Sequence, residues 1–513
     1  MGCYHPGPSG KGSFTLEDSQ TPILDDAAYL QTLGVHSQLH RSLNFVQQGL
    51  FGVAFQGPTA GSILVTSVAF AVGGPAFIWV FPVAFVLQMV LALLWSELVS
   101  QYPLTGGIYQ WSKYLGGEWW GWLSAVMYLG CTVIIQPVLG VIVNVILNGL
   151  FPSFAFNIHN SLWIAATLTV ISGLVLTMDV RIAALINSVG VFFELAVLFG
   201  ATILLFFHTR QPVSVVFHTA GVQGHGSYII PFCVALVLEL TLLTGFEAAG
   251  FFSEEVRHSQ TGGPKGILSA CSSTCVFAGL FAFAMLLATP NIHAGMAAGP
   301  EWVPQVLHAA LGRFGENAIL VGALVALIST EIATMASTSR LLYGLSRDGF
   351  LPGSSKLAKV SKRSGEPLNV VILAVLLSMI PLIIINNVLV VVDAIAALEF
   401  ATYLVAAGLL LKRRLGGWPT RPAPFRLGKF GTPLTFVGLA WIIFTLLMLL
   451  WPRVTTNPVL GPTRVVWEVF VILIALGVAG WGYYVWHLRS AAPRQVEDST
   501  LVLPSADESN SNE

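Results

Sequence analysis

Twelve long apolar stretches constrain this chain more than any other feature of its sequence. At about 20 residues or more, such a stretch crosses the ~30 Å hydrocarbon core of a bilayer as a helix. Strands of a membrane barrel would be about half as long and would alternate in polarity, which these stretches do not. The sequence therefore predicts an all-α polytopic membrane protein. The twelve spans lie over residues 44–72, 76–98, 121–147, 161–178, 182–207, 228–252, 267–289, 315–338, 368–385, 388–411, 433–451 and 466–487.

Composition excludes several other classes of protein. Charged residues make up 10% of the 513 residues, against about 25% in soluble domains. The mean hydropathy is +0.76, which excludes both a water-soluble protein and an intrinsically disordered one. The net charge of −1 also argues against a nucleic-acid partner.

The positive charges predict the orientation in the membrane. With twelve spans and both tails in the cytoplasm, 20 of the 24 Lys and Arg residues fall on the inner side, as the positive-inside rule requires. The sequence thus predicts a plasma-membrane protein with cytoplasmic disordered tails at 1–43 and 488–513 around a transport domain at 44–487. The four on the outer side are Arg210, Arg313, Arg453 and Arg464.

Two loops carry helical patterns of their own. An apolar stripe at helical spacing follows Trp302 in an outer loop, and Tyr109–Leu115 forms a similar segment in an inner loop. The outer segment could lie against the membrane face or cap a vestibule. An interfacial helix without a functional role is the favoured interpretation of each.

Glycine and proline interrupt the first and sixth spans. The first contains Gly57-Pro58 and Gly61, and the sixth contains Thr244-Gly245. Backbone that leaves the helical pattern at membrane depth must contact protein, water or ligand. Interruptions in corresponding spans of two halves point to a substrate site at the midplane. An ordinary proline kink is the alternative for the first span.

Four stretches resemble the amino acid–polyamine–organocation superfamily, and within it the bacterial and fungal amino acid permeases. They are the broken first span, Tyr102–Leu115 (YPLTGGIYQWSKYL), Thr244–Glu255 (TGFEAAGFFSEE) and Arg340–Pro352 (RLLYGLSRDGFLP). The resemblance covers about residues 41–487. It implies a leucine-transporter-like fold with a five-plus-five inverted repeat and two further C-terminal helices, holding substrate between spans one, three, six and eight.

The resemblance also implies a substrate site. Amides of an unwound stretch at 56–62, chiefly around Thr59, Ala60 and Gly61, would bind the substrate carboxylate. Carbonyls of the sixth span would bind its ammonium group, with Phe246 as a gate. This chain lacks the Gly-[SA]-Gly run of many relatives at the first break, and its fifth span lacks the Lys of some proton-coupled relatives. The predicted substrate-binding residues are Gln56, Gly57, Thr59, Ala60, Gly61, Ser62, Thr244, Gly245, Phe246 and Glu247.

Four carboxylates within the spans are candidates for proton coupling: Glu194, Glu239, Glu331 and Glu399. No Lys, Arg or His falls deep in any predicted span. An unpaired carboxylate at midplane costs at least about 2.5 kcal/mol, so each must be protonated, face a wet cavity or meet a cation. A neutral acid bonded to a neighbouring helix is the alternative. Glu239 and Glu247 are the first choices because they lie on the sixth span.

Charged residues also mark the predicted cytoplasmic ends of the sixth and eighth spans. These residues could form an inner gate of ion pairs, with a solvated rim as the alternative. They are Glu254, Glu255, Arg340, Arg347 and Asp348.

These features predict a secondary transporter, not an enzyme, that moves an amino acid or related amine by alternating access, with proton symport first. An exchanger and a transporter-like sensor are the alternatives. No phosphate loop, metal cluster or nucleophile elbow indicates an enzyme, and no filter loop indicates a channel. No cofactor or metal is expected beyond the driving gradient. The expected partners are a small amino acid or amine and the lipid bilayer, and the sequence leaves the oligomeric state open.

Overall fold

The molecule is a bundle of long apolar helices. The computed structural model describes residues 26–35, 39–151, 153–154, 157–178, 180–361, 365–384, 388–419, 423–451, 453–457, 461–465 and 468–488. Within these residues ten helices are long and apolar enough to cross a membrane, or eleven if one bent pair counts as a single span. The helix over the ninth stretch is shorter, at 17 residues. The polytopic helical architecture is therefore confirmed, and the count of twelve spans stays a prediction.

The helices follow the predicted stretches in order, because a chain in lipid must satisfy its backbone groups internally. The first span consists of Phe45–Gln56 and Pro58–Gly73, and the sixth of Ile229–Leu243 and the 3₁₀ segment Phe246–Glu255. The others are Val80–Gln101, Glu118–Ile134 with Gln136–Leu150, Ile158–Leu176, Val180–Phe206, Ser259–Ala288, Trp302–Arg347, Leu368–Ile384, Val388–Leu415, Gly431–Leu450 and Glu468–Tyr483.

One small sheet departs from the all-helical prediction. Strands Arg453–Asn457 and Gly461–Val465 pair antiparallel, with Arg453 opposite Val465. The hairpin lies in the loop between the eleventh and twelfth spans, which is predicted to be on the outer side. It leaves the helical character of the spans unchanged.

The first and sixth spans lie side by side in opposite directions. Gln48 Nε2 donates to the Ala249 carbonyl at 2.9 Å near one end of the pair. Thr66 Oγ1 lies 3.4 Å from Glu239 Oε2 near the other. The two interruptions therefore meet at the same level, as an inverted repeat requires. The repeat itself stays a prediction.

The N-terminal segment corrects one boundary of the sequence analysis. Within the predicted disordered tail 1–43, Asp26–Thr32 is a helix, and Tyr29 and Leu30 are buried. Tyr29 Oη donates to the Gln101 carbonyl at 2.9 Å, at the end of the second span. Apolar side chains three and four residues apart give this helix one face that packs against the protein. Three parts of the predicted tails, 1–25, 36–38 and 489–513, lie outside the described residues.

Both predicted loop helices are present. The inner one is Ile108–Gly116. The outer one begins at Trp302 and continues into the eighth span through a kink at Gly312. Trp302 is fully buried, and its ring stacks on Phe70 with centroids 4.3 Å apart. The outer helix therefore packs against the first span near its C-terminal end.

Candidate functional site

The first span is broken at a single residue. Its helix ends at Gln56, Gly57 has φ +57°, and a second helix begins at Pro58. Proline is favoured at the first position of a helix because its missing N–H needs no partner there. The predicted unwound stretch 56–62 is therefore too long. The segment from Pro58 onward is helical, and the Gly61 N–H donates to the Gly57 carbonyl at 3.0 Å.

The sixth span is broken at two residues. Its helix ends at Leu243, Thr244 is extended, and Gly245 has φ +92° before the chain enters a 3₁₀ segment. The Gly245 carbonyl accepts from the Ala248 N–H at 3.0 Å. This break confirms the predicted interruption of the sixth span. The ring of Phe55 lies directly against Gly245, so the two breaks are in contact.

Replacing Gly245 by Ala is expected to reduce transport at least about tenfold. A Cβ at this position would lie 2.5 Å from Phe55 Cδ1, and φ +92° is a conformation that L-residues rarely adopt. Such strain costs about 1–3 kcal/mol. Uptake per folded molecule measures the effect, with Gly408→Ala as the matched control, since a Cβ there has open space. Equal uptake by both variants would contradict the prediction.

A cavity of about 70 Å³ lies where the two breaks meet. Its lining comes from spans one, three, six, eight and ten, so the tenth adds to the four that the resemblance implies. The lining is mostly apolar. It consists of Phe55, Gln56, Gly57, Gly61, Leu64, Val65, Cys131, Ile135, Val138, Leu139, Ile142, Thr241, Leu242, Thr244, Thr330, Val392, Ile395 and Glu399.

The predicted site residues divide into two groups. Those that line the cavity are Gln56, Gly57, Gly61, Thr244 and Glu399. Those outside its described lining are Thr59, Ser62, Gly245, Phe246, Glu247, Glu194, Glu239 and Glu331. The side chain of Ala60 lies outside the described residues. Phe246 is fully buried, and Phe55 faces the cavity instead.

The Glu194 carboxyl group binds a backbone amide that the family resemblance assigns to the substrate carboxylate. The Thr59 N–H, in the first turn after the break, donates to Glu194 Oε1 at 3.0 Å. Glu194 comes from the fifth span and is fully buried. Carboxylates are stabilised at helix N-termini by free N–H groups and the helix dipole. The protein therefore supplies its own carboxylate to this half-helix.

Two carboxyl groups share a tyrosine hydroxyl beside the cavity. Tyr403 Oη forms a short hydrogen bond with Glu247 Oε2 and lies 3.1 Å from Glu399 Oε1. Tyr128 Oη donates to Glu247 Oε1 at 2.9 Å. Tyr403 has only one hydroxyl hydrogen, so its second hydrogen bond requires a hydrogen from a carboxyl group. The arrangement therefore holds at least one proton on the Glu247–Glu399 pair.

Glu239 and Glu331 lie in different surroundings. Glu239 is fully buried, its Oε2 is 3.4 Å from Thr66 Oγ1, and its Oε1 has no hydrogen-bond partner among the described residues. Glu331 is bonded more completely. Ser172 Oγ donates to it at 3.3 Å, and the Gln136 amide nitrogen, turned toward the carboxyl group, lies 2.7 and 2.6 Å from its two oxygens. Glu331 therefore fits a bonded structural acid better than Glu239 does.

The predicted inner-gate residues form buried ion pairs. Arg340 binds Glu255 through two hydrogen bonds of 2.9 and 3.1 Å and reaches Glu366 at 2.8 Å. Arg347 Nη1 lies 2.7 Å from Glu254 Oε1. Arg340 and Glu255 are each 3% exposed, which excludes a solvated rim for this pair. The ion pairs join the ends of the sixth and eighth spans.

Asp348 pairs with the inner loop helix and not with the sixth span. Its carboxylate lies 2.8 Å from Lys113 Nζ and accepts from Gln110 Nε2 at 3.0 Å. Burial by itself raises the pKa of Asp348, but the Lys113 and Arg347 charges, with hydrogen bonds from Lys113 and Tyr109, bring that pKa below its ordinary value. Asp348 therefore stays ionised at neutral pH and anchors this helix.

Sequence reasoning missed the tyrosines and Glu366. Tyr403 follows Glu399 by four residues on one helix, a spacing that places both on the same face and could have identified the pair. Tyr128 carries no such local signal. Among the described residues, no group of three or more His, Cys, Asp or Glu side chains is placed to hold a metal ion.

Comparison with known proteins gives one consistent result. A family model described as amino acid permease matches residues 45–479. An uncharacterized amino-acid permease of Schizosaccharomyces pombe (strain 972 / ATCC 24843) is 26% identical over 467 residues, 84% of this chain and 82% of the relative. The amino-acid permease BAT1 of Arabidopsis thaliana is 25% identical, covering 83% and 89%. A GABA-specific permease of Saccharomyces cerevisiae (strain ATCC 204508 / S288c) is 22% identical, covering 86% and 82%.

Proposed function

Because the chain belongs to the amino acid permease family, we propose that it is a secondary transporter that moves an amino acid or related amine by alternating access, coupled to protons. The family and the apolar helices make it an integral membrane protein. The plasma membrane, with both termini in the cytoplasm, is part of the proposal. The relatives' names, among them a GABA-specific permease, support a substrate that carries an amine.

The observation that carries the proposal is the position of Glu399. Its side chain borders the cavity at the two helix breaks, and it shares the Tyr403 hydroxyl with Glu247. A carboxyl group in this position can bind an ammonium group that lies in the cavity, and it can exchange a proton with Glu247 on its other side. This connection between a ligand space and a proton-holding pair supports symport.

The ion pairs of the sixth and eighth spans support alternating access. They close the end of the bundle that the charge distribution predicts to be cytoplasmic, with Arg340 and Glu255 almost fully buried. Inward release requires these pairs to separate. Two broken helices that meet at the cavity allow the two halves to rock about a fixed site.

Uptake into proteoliposomes tests this function. Labelled amino acids and amines are offered with and without an imposed inward proton gradient. We expect accumulation of one chemical class only with the gradient, and loss of that accumulation in Glu399→Gln. Uptake that ignores the gradient and requires internal substrate would establish an exchanger instead, and binding without any uptake would favour a sensor.

A further inference from the structure

The hydrogen-bond donors around the cavity are largely committed to the protein. The Thr59 N–H binds Glu194, and the Gly61 N–H binds the Gly57 carbonyl. Among the lining hydroxyls, Thr244 donates to the Leu240 carbonyl at 3.0 Å and Thr330 to the Ala326 carbonyl at 3.3 Å. These four groups are therefore unavailable to a ligand unless the protein gives up its own bonds.

Gln56 offers one lining donor without an acceptor, and the Thr241 hydroxyl is a second neutral donor in the lining. Gln56 is 7% exposed, its Oε1 accepts from Thr274 Oγ1 at 2.9 Å, and its Nε2 has no partner among the described residues. An amide is neutral and supplies no positive charge. The described lining contains no Lys, Arg or His, so a ligand carboxylate would meet no counter-charge there.

The described lining can instead carry a negative charge. Glu399 is its only carboxyl group, and ionisation of this group gives the lining a negative charge. An ammonium group gains from that charge in a site of low dielectric constant. A buried carboxylate that meets only neutral donors has a large desolvation cost, and an ionised Glu399 beside it would add a like charge.

We propose that the substrate is an organic amine cation without a carboxylate, and that Glu194 is a specificity-determining residue. This deepens the proposed transport function and rests on it. Glu194 fills the N-terminus of the half-helix that would otherwise bind a substrate carboxylate. The cavity keeps the Glu399 carboxyl group for the ammonium group and apolar walls for the body of the cation.

Matched pairs of labelled compounds test the proposal. Each pair shares a cationic group and differs in a carboxylate: tyramine with tyrosine, and choline with glycine betaine. Protein-free vesicles give the background of passive entry. We expect the carboxylate-free member of each pair to enter at least about ten times faster, since burial of a charged group without its hydrogen-bond partners is strongly disfavoured.

The outcomes separate this inference from the function on which it rests. Equal or faster uptake of tyrosine and glycine betaine would overturn the amine preference and leave transport established. If neither member of any pair is taken up, and the wider panel of amino acids and amines is not taken up either, the transport proposal fails. In that case thermal stabilisation of the purified protein by tyramine but not tyrosine would still support an amine site, and the reverse order would refute it.

Two variants of Glu194 test its specific role. Glu194→Ala frees the Thr59 N–H and opens space beside it, so the preference for tyramine over tyrosine should fall at least about tenfold. Glu194→Gln keeps an oxygen that accepts from the Thr59 N–H and should retain the preference. A monodisperse elution profile establishes that each variant is folded. If the preference falls equally in both, or in neither, Glu194 does not act by occupying the amide. If Glu194→Ala does not fold, the pair measurements on the unmodified protein still decide the substrate class.

Discussion

Replacing Arg340 by Gln is expected to lower the free energy of unfolding by about 3–5 kcal/mol, which is typical when one partner of a buried ion pair is removed. The guanidinium is shared by Glu255 and Glu366, at 2.9 and 2.8 Å, and is 3% exposed. Its removal leaves the buried carboxylates of Glu255 and Glu366 without this positive charge beside them. Detergent-titrated unfolding of the purified protein, followed by tryptophan fluorescence, measures the change.

Arg313→Gln is the matched control for Arg340→Gln. Arg313 is 52% exposed and lies 3.8 Å from Glu316, so water can solvate its charge, and we expect a loss near the ~0–1 kcal/mol of solvent-exposed pairs. Arg340→Lys keeps the charge but loses the two-pronged geometry, so it should fall between the other two variants. Equal stability of Arg340→Gln and Arg313→Gln would contradict the assignment of a buried inner gate.

Replacing Tyr403 by Phe is expected to reduce gradient-driven accumulation at least about tenfold. The change removes a hydroxyl that touches both Glu247 and Glu399, and with it a hydrogen-bonded connection between the two carboxyl groups. Hydrogen bonds to charged groups are worth about 1.5–3 kcal/mol each, and a tenfold change corresponds to 1.4 kcal/mol. Uptake is measured across a series of imposed proton gradients.

Tyr228→Phe removes the same atom at a different place. Its hydroxyl donates to the Gly73 carbonyl at 2.7 Å, at the far end of the first span, and its loss should leave the response to the gradient unchanged. Among the acids, Glu247→Gln should abolish the response and Glu239→Gln should affect it less, because Glu239 has only the 3.4 Å contact with Thr66. A gradient response that survives in Tyr403→Phe would refute the shared-proton pair.

The fold was largely predictable because lipid imposes strong rules on a sequence. The apolar stretches and the broken first and sixth helices follow from local composition. The ends of the spans are less predictable, since the seventh helix begins at Ser259 and the eighth ends at Arg347, against predicted limits of 267 and 338. The helix Asp26–Thr32 was not predicted. Its few apolar residues lie within a polar segment, and their burial depends on the end of the second span, which is remote in sequence.

The site was predictable only in outline, because its chemistry depends on directions that a sequence does not show. Glu194 and Thr59 are 135 residues apart, and nothing local to either indicates that the amide faces the fifth span. The same holds for Tyr128 and Glu247, which are 119 residues apart. The charged motif Arg340–Pro352 does reveal an ion-pair region, but the partner Glu366 follows it in a segment without a motif.

The one-residue break in the first span bears on how its two helices can move relative to each other. The Gly57 N–H still donates to the Val53 carbonyl, and the Gly57 carbonyl still accepts from the Gly61 N–H. The two helices are thus joined through the two backbone torsion angles of Gly57, a residue without a side chain. The bend between the two helices is 46°. The helix after Gly57 can change direction relative to the helix before it without melting either one, so we expect amide protons on both sides of the joint to exchange slowly even while substrate is being taken up.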